Sequence, residues 1–126
     1  MSENPTLRKL RRRDGQRALV LNAPESYRRL LDAAGMSAAF AGAPDATHDF
    51  IHVFATTRAE LETIGPTLRA AARPDSLLWV SYPKGTAIPT DLKRDVVAAI
   101  LAAAGLRACA QVAIDEVWSA LRFRPD

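Results

Sequence analysis

Three short apolar runs, each followed by a segment with helical periodicity, constrain the fold of this chain most strongly. The runs cover residues 17–22, 49–55 and 76–82, and the helical segments cover about 25–34, 58–72 and 90–104. Parallel strands read as continuous apolar runs because helices bury them on both faces. The alternation therefore predicts right-handed crossovers and a mainly parallel sheet between two layers of helices.

The last quarter of the chain carries a different pattern. Residues 106–114 and 117–124 read as two further strands, and only Asp115 and Glu116 separate them. A connection of two residues joins antiparallel strands, so a terminal hairpin is expected. One more short edge strand fits near 38–41. The predicted fold class is α/β: a three-layer, Rossmann-like, mostly parallel sheet of five to six strands with a C-terminal antiparallel hairpin.

Capping signals set the expected ends of the helices. Thr57 and Glu60 have the spacing of a capping box at the start of the second helix. Thr90 is the expected N-cap of the third helix, with Asp91 in its first turn. Gly35 is the expected C-cap of the first helix, because glycine commonly ends helices.

Composition excludes several classes of protein. The 126 residues suffice for one domain with a single core, and no apolar run approaches the roughly 18 residues of a membrane span. The N-terminus is charged without a following apolar region, so no secretory signal is expected. The single cysteine, Cys109, excludes a disulfide scaffold and favours a reducing cytoplasm. One cysteine and two separated histidines also argue against a structural zinc site.

Positive charge is concentrated at the N-terminus. Residues 1–17 hold six basic and two acidic groups, whereas the rest of the chain has a net charge of −1. We interpret residues 1–14 as a basic, solvated and partly helical arm on a domain of residues 15–126, with Thr6 as N-cap and Leu7 and Leu10 facing inward. The arm could associate with nucleic acid. No aromatic residue lies among its arginines to stack on bases, so nucleic acid is an unlikely partner by this criterion.

The turn after the first strand departs from the pattern of nucleotide-binding folds. It reads Asn22-Ala23-Pro24-Glu25-Ser26 and contains no glycine. Glycines at this turn let a phosphate or cofactor approach the bare backbone. The turn instead has a rigid proline and a carboxylate near the helix start, where an anionic ligand would otherwise lie.

Residues 49–82 resemble the second half of a class I, S-adenosylmethionine-dependent methyltransferase fold. The matching pieces are Asp49-Phe50-Ile51-His52-Val53-Phe54 and Ala72-Arg73-Pro74-Asp75-Ser76-Leu77-Leu78-Trp79-Val80-Ser81. With the terminal hairpin, the resemblance covers residues 15–124. More closely, the chain is similar to a small bacterial family of unknown function built on this trimmed core. That similarity implies the fold and no assigned reaction, and its matching segments are 18–27, 78–86, 91–95 and 117–123.

Two departures from the methyltransferase pattern argue against S-adenosylmethionine as a cofactor. The glycine turn is absent, and only thirteen residues separate Gly35 from Asp49. That length cannot hold the usual strand, helix and further strand. The acidic residue that binds a ribose should end a firm second strand about 20 residues past the turn. Asp45 lies at about that distance, but it follows a proline in an irregular stretch and reads as a loop residue.

Candidate ligand-binding residues lie where the parallel strands end. Ligands of open α/β sheets bind outside the carboxyl ends of the strands, where loops 22–26, 55–57 and 82–86 converge. The candidates are Asn22, Ser26, Lys84, Asp91 and Arg94. Each also has a purely structural interpretation: Asn22 closes a turn, Ser26 caps a helix, Lys84 is solvated, and Asp91 and Arg94 form a surface ion pair.

No catalytic or metal-binding constellation emerges from the sequence. Ser81 lies near a strand end but lacks the G-x-S-x-G elbow, and no Ser/His/Asp or Cys/His set can be assembled. The sequence therefore favours a non-catalytic binding or interaction module with an unknown protein or small-molecule partner. The alternative is a divergent small-molecule enzyme or cofactor binder that uses the crevice at the strand ends. The alternative requires a pocket of roughly 300 Å³ there.

Overall fold

The computed structural model of the chain describes residues 4–126. Its strands are β1 (Ala18–Leu21), β2 (Phe50–Phe54), β3 (Leu77–Pro83), β4 (Leu106–Ala113) and β5 (Trp118–Pro125). Its helices are α1 (Pro5–Lys9), α2 (Glu25–Ala33), α3 (Arg58–Ala71) and α4 (Arg94–Ala103). All three predicted apolar runs form strands, and the terminal hairpin forms as predicted.

The strands make one sheet in the order β1-β2-β3-β5-β4. β1 pairs with β2 and β2 with β3 in parallel, whereas β5 is antiparallel to both β3 and β4. Four of the five strands therefore run in the same direction, and β5 is the exception. The predicted α/β class, with a mostly parallel sheet and a C-terminal antiparallel hairpin, is confirmed.

The expected edge strand near 38–41 is reduced to a single bridge. Leu19 pairs in parallel with Ala39, through the bonds Val20 N to Ala39 O (2.8 Å) and Ala39 N to Ala18 O (2.9 Å). No further ladder forms because the segment between Gly35 and Asp49 is too short for a strand, a helix and a return. The sheet is therefore trimmed on the β1 side.

Side chains on the two faces of the sheet pack into two separate hydrophobic cores. Phe50, Phe54 and Trp79 pack with α1 and α2 on one face. On the other face, alternate residues such as Ile51 and Val80 pack with α3 and α4. Burying one such side chain contributes about 1.5–3 kcal/mol, so β2 and β3, which are buried on both faces, anchor the domain.

The capping predictions met different outcomes. Thr57 and Glu60 form a complete capping box at the start of α3, as predicted. Thr90 was wrong as an N-cap: α4 begins at Arg94, and Lys93 is its N-cap. The Thr90 hydroxyl instead donates to the carbonyl of Thr56 (2.6 Å) and accepts from the Leu92 amide (3.0 Å). These bonds hold residues 90–92 against the end of β2, so the helix starts only after them.

The basic N-terminal segment is packed on the domain rather than solvated. Its helix is capped by Asn4, not Thr6, because the Asn4 side chain accepts from the amides of Thr6 and Leu7. Leu7 and Leu10 are buried, as their spacing predicted. The indole of Trp79 donates to the carbonyl of Leu10 (3.0 Å), which fixes the end of α1 over β3.

Arg12 accounts for much of the difference from the expected arm. Its side chain is buried, its guanidinium donates to the carbonyls of Arg13 and Ser37, and it lies 5.4 Å from the centre of the Phe50 ring. An arginine can bury its aliphatic stem while its head remains paired, so a count of charges does not reveal burial. The polar stretch 2–5 by itself predicts disorder, but Asn4 and Pro5 form the start of α1, and residues 2 and 3 lie outside the described part of the chain.

Among residues 4–126, no helix is long and apolar enough to cross a membrane.

We expect Leu10→Ala to lower the free energy of unfolding by about 2–5 kcal/mol, because Leu10 is fully buried among the side chains of one core. The neighbouring substitution Lys9→Ala, at an exposed position of the same helix, should change stability by less than about 0.5 kcal/mol. Denaturant unfolding of both variants measures the difference. Equal stability of the two variants would show that the segment is dispensable for folding.

Candidate functional site: a cleft at the carboxyl ends of β1 and β2

The turn between β1 and α2 adopts a left-handed backbone conformation. Asn22 has φ of +59°, a region that glycine favours and that asparagine tolerates better than most residues. Pro24 is the N-cap of α2 and supplies no side-chain cap. The chain therefore turns as sharply as a glycine turn would allow, but it carries an asparagine side chain at the sharpest point.

This turn forms one wall of an open cleft of about 420 Å³. The opposite wall is the first two turns of α3, and the carboxyl end of β2 forms the floor. Most of the lining is apolar, and three polar side chains interrupt it. The lining residues are Asn22, Val53, Phe54, Ala55, Ala59, Glu60, Thr63 and Ile64. The cleft exceeds the volume of roughly 300 Å³ that the small-molecule alternative requires.

Glu60, the carboxylate of the cleft, also holds the strand-to-helix loop in place. Its Oε1 accepts from the amides of Thr56 and Thr57 (both 3.0 Å) and from their hydroxyls (3.0 and 3.1 Å). Partial burial acts to raise the pKa of the Glu60 carboxyl, but these four bonds outweigh it and hold the pKa below its ordinary value. Glu60 is therefore ionised at neutral pH and acts as a fixed acceptor rather than as a proton donor.

The structure separates the predicted ligand-binding residues. Asn22 lines the cleft, whereas Ser26, Lys84, Asp91 and Arg94 are absent from its lining. Ser26 is exposed in the first turn of α2 and does not cap that helix. Lys84 follows β3, which is two strands away from β1, and its amide donates to the carbonyl of Val117 (2.8 Å) at the start of the hairpin's last strand.

Asp91 and Arg94 do not form the expected pair. Asp91 Oδ1 accepts from the amide of Arg58 (2.8 Å), so it satisfies a free donor at the start of α3. Arg94 begins α4. Its Nε donates to Oε1 of Gln111 (2.9 Å), and its Nη1 lies 3.3 Å from Oδ1 of Asp95. The two residues lie on different elements because α4 starts later than its sequence predicts.

A buried polar chain lies beneath the cleft, on the α2 face of the sheet. His52 Nδ1 lies 3.0 Å from the hydroxyl of Tyr27, and His52 Nε2 lies 2.6 Å from Oγ of Ser81. The three residues come from α2, β2 and β3, and all are buried. Burial lowers the pKa of His52 to about 3 and raises that of Tyr27, so both are neutral at pH 7.

The hydrogen-bonded group of Tyr27, His52 and Ser81 is not an active site, although its serine and histidine are in contact. Ser81 and His52 have no solvent-exposed area, so a substrate has no access to either. A nucleophile must reach the reacting atom, whereas these groups satisfy each other inside the core. Within residues 4–126, no group of three or more His, Cys, Asp or Glu residues converges to hold a metal ion.

Sequence analysis missed several residues of this region. Thr63 and Ala59 line the cleft but carry no motif, and Glu60 was identified only as part of a capping box. The alternation Phe50-His52-Phe54 does place a histidine among core residues of one face. Its partners Tyr27 and Ser81 are 25 and 29 residues away, so they meet it only through the packing of α2 on the sheet and the pairing of β2 with β3.

Comparison with solved structures identifies a class I S-adenosylmethionine-dependent methyltransferase-like fold. A SAM dependent methyltransferase from Aquifex aeolicus is 15% identical with a TM-score of 0.66, over 93% of this chain and 86% of that one. The PH0226 protein from Pyrococcus horikoshii OT3 is 11% identical with a TM-score of 0.61, over 96% and 88%. PigF, solved with SAH, is 11% identical with a TM-score of 0.61, over 98% and 62%. These identities establish the fold alone. Neither protein-family models nor curated protein sequences match the chain.

The residues of this fold that face the cleft do not fit S-adenosylmethionine. A ribose-binding carboxylate would follow the strand next to β1, but only the Ala39 bridge occupies that position. Asp45 lies instead on the approach to β2, where it accepts from the Thr47 amide (2.8 Å) and its own amide donates to His48 Nδ1 (3.1 Å). The turn that would cradle the cofactor carries the side chains of Asn22, Ala23 and Pro24. We therefore derive no reaction step through this cofactor.

The neutral state of His52 should make stability depend on pH. The pKa of His52 is lowered to about 3 in the folded state. Below pH 6.5 the unfolded protein therefore binds a proton on this imidazole, whereas the folded protein does not. The contribution of His52 to the free energy of unfolding is complete above pH 6.5. It decreases as the pH falls below that value, by about 2 kcal/mol at pH 5.

Urea unfolding of wild type and His52→Gln at pH 7 and pH 5 isolates this contribution, since glutamine keeps polar contacts without titrating. We expect the wild type to lose more stability than the variant. An identical loss in both proteins would contradict the assignment, as would a His52 ring that titrates near pH 6.5 in the NMR spectrum of the folded wild type.

Proposed function

We propose that this chain is a non-catalytic binding module that holds a small molecule in the cleft between the β1–α2 turn and α3. The supporting observation is the cleft itself, which has about 420 Å³ and opens at the carboxyl ends of two parallel strands. Ligands of open α/β sheets bind at this edge. A pocket of this size with an apolar lining and few polar groups is typical of small-molecule sites.

The lack of an available reactive group supports binding rather than catalysis. Glu60 is engaged by four hydrogen bonds, Asp91 accepts from the start of α3, and His52 and Ser81 lie in the core. A general base needs a pKa near neutrality and access to the substrate proton. A catalytic role would require one of these groups to leave its structural partners.

The lining favours an uncharged ligand with an apolar body. Val53, Ala55 and Ile64 offer aliphatic contact, while Asn22 and Thr63 offer neutral donors and acceptors. The charged group of the lining is the carboxylate of Glu60, and no lysine or arginine lines the cleft. A phosphate would therefore meet repulsion and no compensating cation. Neutral metabolites up to the size of a nucleoside fit this chemistry better than nucleotides do.

A thermal-shift comparison tests the proposal with adenosine and other neutral metabolites against ATP as the anionic counterpart. A ligand that binds the folded state raises the melting temperature by mass action, by a few degrees well above its Kd. We expect stabilisation by at least one neutral compound and none by ATP. Stabilisation by phosphates alone would contradict the charge argument, and the absence of any hit in a broad neutral set would contradict the site.

An occluding variant locates the binding. In Ala59→Leu/Thr63→Leu, two larger side chains fill the cleft from α3, so a hit should no longer shift the melting temperature. Ala70→Leu is the matched control because it enlarges an exposed position of the same helix outside the lining. A ligand that stabilises all three proteins equally binds elsewhere.

A further inference from the structure

We infer that the face of the sheet crossed by α1 is a docking surface for the phosphate backbone of a nucleic-acid duplex. This inference is independent of the cleft and rests on where the fold places arginines. We call this surface the arginine face. Its exposed or half-buried cations are Arg8, Lys9, Arg11, Arg13, Arg107, Arg122 and Arg124.

Strand register brings three of these arginines together. Arg107 of β4 is directly opposite Arg124 of β5, and Arg122 lies two residues earlier on the same face of β5. Residues two apart on a strand are separated by about 6.8 Å, and neighbouring strands by about 4.8 Å. Three guanidinium groups thus project from an area about two residues long and two strands wide.

The N-terminal segment adds its charge to the same face. Arg122 is registered with Trp79 of β3, and the Trp79 indole donates to the carbonyl of Leu10 (3.0 Å). Registered side chains share a face, so the end of α1 borders Arg122. The exposed side of α1 and the arginines of the hairpin therefore form one continuous basic surface, which the sequence divides between its two ends.

Within the described residues, no ion pair involves the cations of this surface. Among residues 4–126, none of the seven cations has an Asp or Glu oxygen within ion-pair distance. Residues 4–13, 106–113 and 117–125 contain no acidic residue. The exposed Asp14 and Asp126 directly follow two of these segments, and neither forms an ion pair with the seven cations. Nε of Arg122 is buried and has no hydrogen-bond partner in the described part of the chain. Like charges directly opposite on a sheet are destabilising, so the Arg107–Arg124 arrangement costs stability without a partner.

The side chains of the arginine face indicate which kind of partner can bind there. Repeated cations without ion-pair partners fit a polyanion, and arginine suits phosphate through paired hydrogen bonds. On β4, Ala110 is registered with Arg122 and Val112 with Ala120. These neighbours of the arginines offer no ring for base stacking and no large apolar side chain for insertion into a bilayer. A duplex, which presents its phosphates outward, therefore fits better than a single strand or a membrane.

Fluorescence anisotropy with labelled DNA and RNA duplexes of one sequence tests the inference across about 50–200 mM salt. We expect binding that weakens steeply with salt. In Arg107→Gln/Arg124→Gln, affinity should fall by roughly tenfold for each arginine near 0.1 M salt, and the log–log salt slope should become shallower by about 2. Because the substitution removes a like-charge pair, the melting temperature should not decrease.

The control is Arg58→Gln/Lys93→Gln, which makes the same change in net charge at exposed residues beside α3 and α4 on the opposite layer. It should leave the salt slope unchanged. A second test pair, Arg8→Gln/Lys9→Gln, probes α1 and should behave like the hairpin pair. The inference is overturned if the test and control variants weaken binding equally, if neither duplex binds at the lowest salt, or if phosphatidylserine vesicles bind where both duplexes do not.

Discussion

The backbone conformation of Asn22 is the constraint on which the cleft depends. β1 ends at Leu21, and α2 starts at Glu25, so three residues must reverse the chain. A left-handed residue at position 22 achieves this, and asparagine accepts the conformation at moderate cost. The turn then stands away from α3 and leaves the ends of β1 and β2 open. The same steric arrangement places side chains where a cofactor of this fold would need bare backbone.

Beneath the cleft, the hydrogen bonds of His52 join α2, β2 and β3. A buried imidazole needs partners for both nitrogens, and Tyr27 and Ser81 supply them from opposite sides. The Tyr27 and Phe54 rings also pack on the imidazole, with centroids 4.9 and 4.3 Å away. This satisfied polar chain fixes α2 relative to the sheet and thereby fixes one wall of the cleft. It explains a serine and a histidine in contact without a catalytic function.

How far the sequence predicts the structure depends on whether a feature is local. The apolar runs around Phe50 and Trp79 predict strands because burial on both faces leaves a local pattern, and the capping box at Thr57 is local too. The predicted position of Thr90 was wrong because its hydroxyl is held by the carbonyl of Thr56, 34 residues away, and a contact at that separation leaves no local pattern. The spacing of Leu7 and Leu10 predicts that both face inward, but nothing local predicts that Arg12 of the same segment is buried as well.

The two proposed binding surfaces differ from the fold class in the same way. The place of Asn22 at the cleft was predictable because it follows a parallel strand, but Thr63 joins it only through the packing of α3. The arginine face depends on strand register and on the path of α1, neither of which has a signature in the sequence. The fold class was therefore accessible from pattern, whereas each surface required the tertiary arrangement of residues from separate elements.

The central claim is that the β1–α2 turn supports a cleft for a small ligand but excludes the cofactor of the fold's enzymes. The amide NMR spectrum of the protein, titrated with S-adenosylmethionine, tests this claim most directly. The account predicts that the resonances of Asn22, Ala23 and Ala55 do not move. Saturable shifts at these three amides with a micromolar Kd would show that the turn accommodates the cofactor after all and would contradict the account.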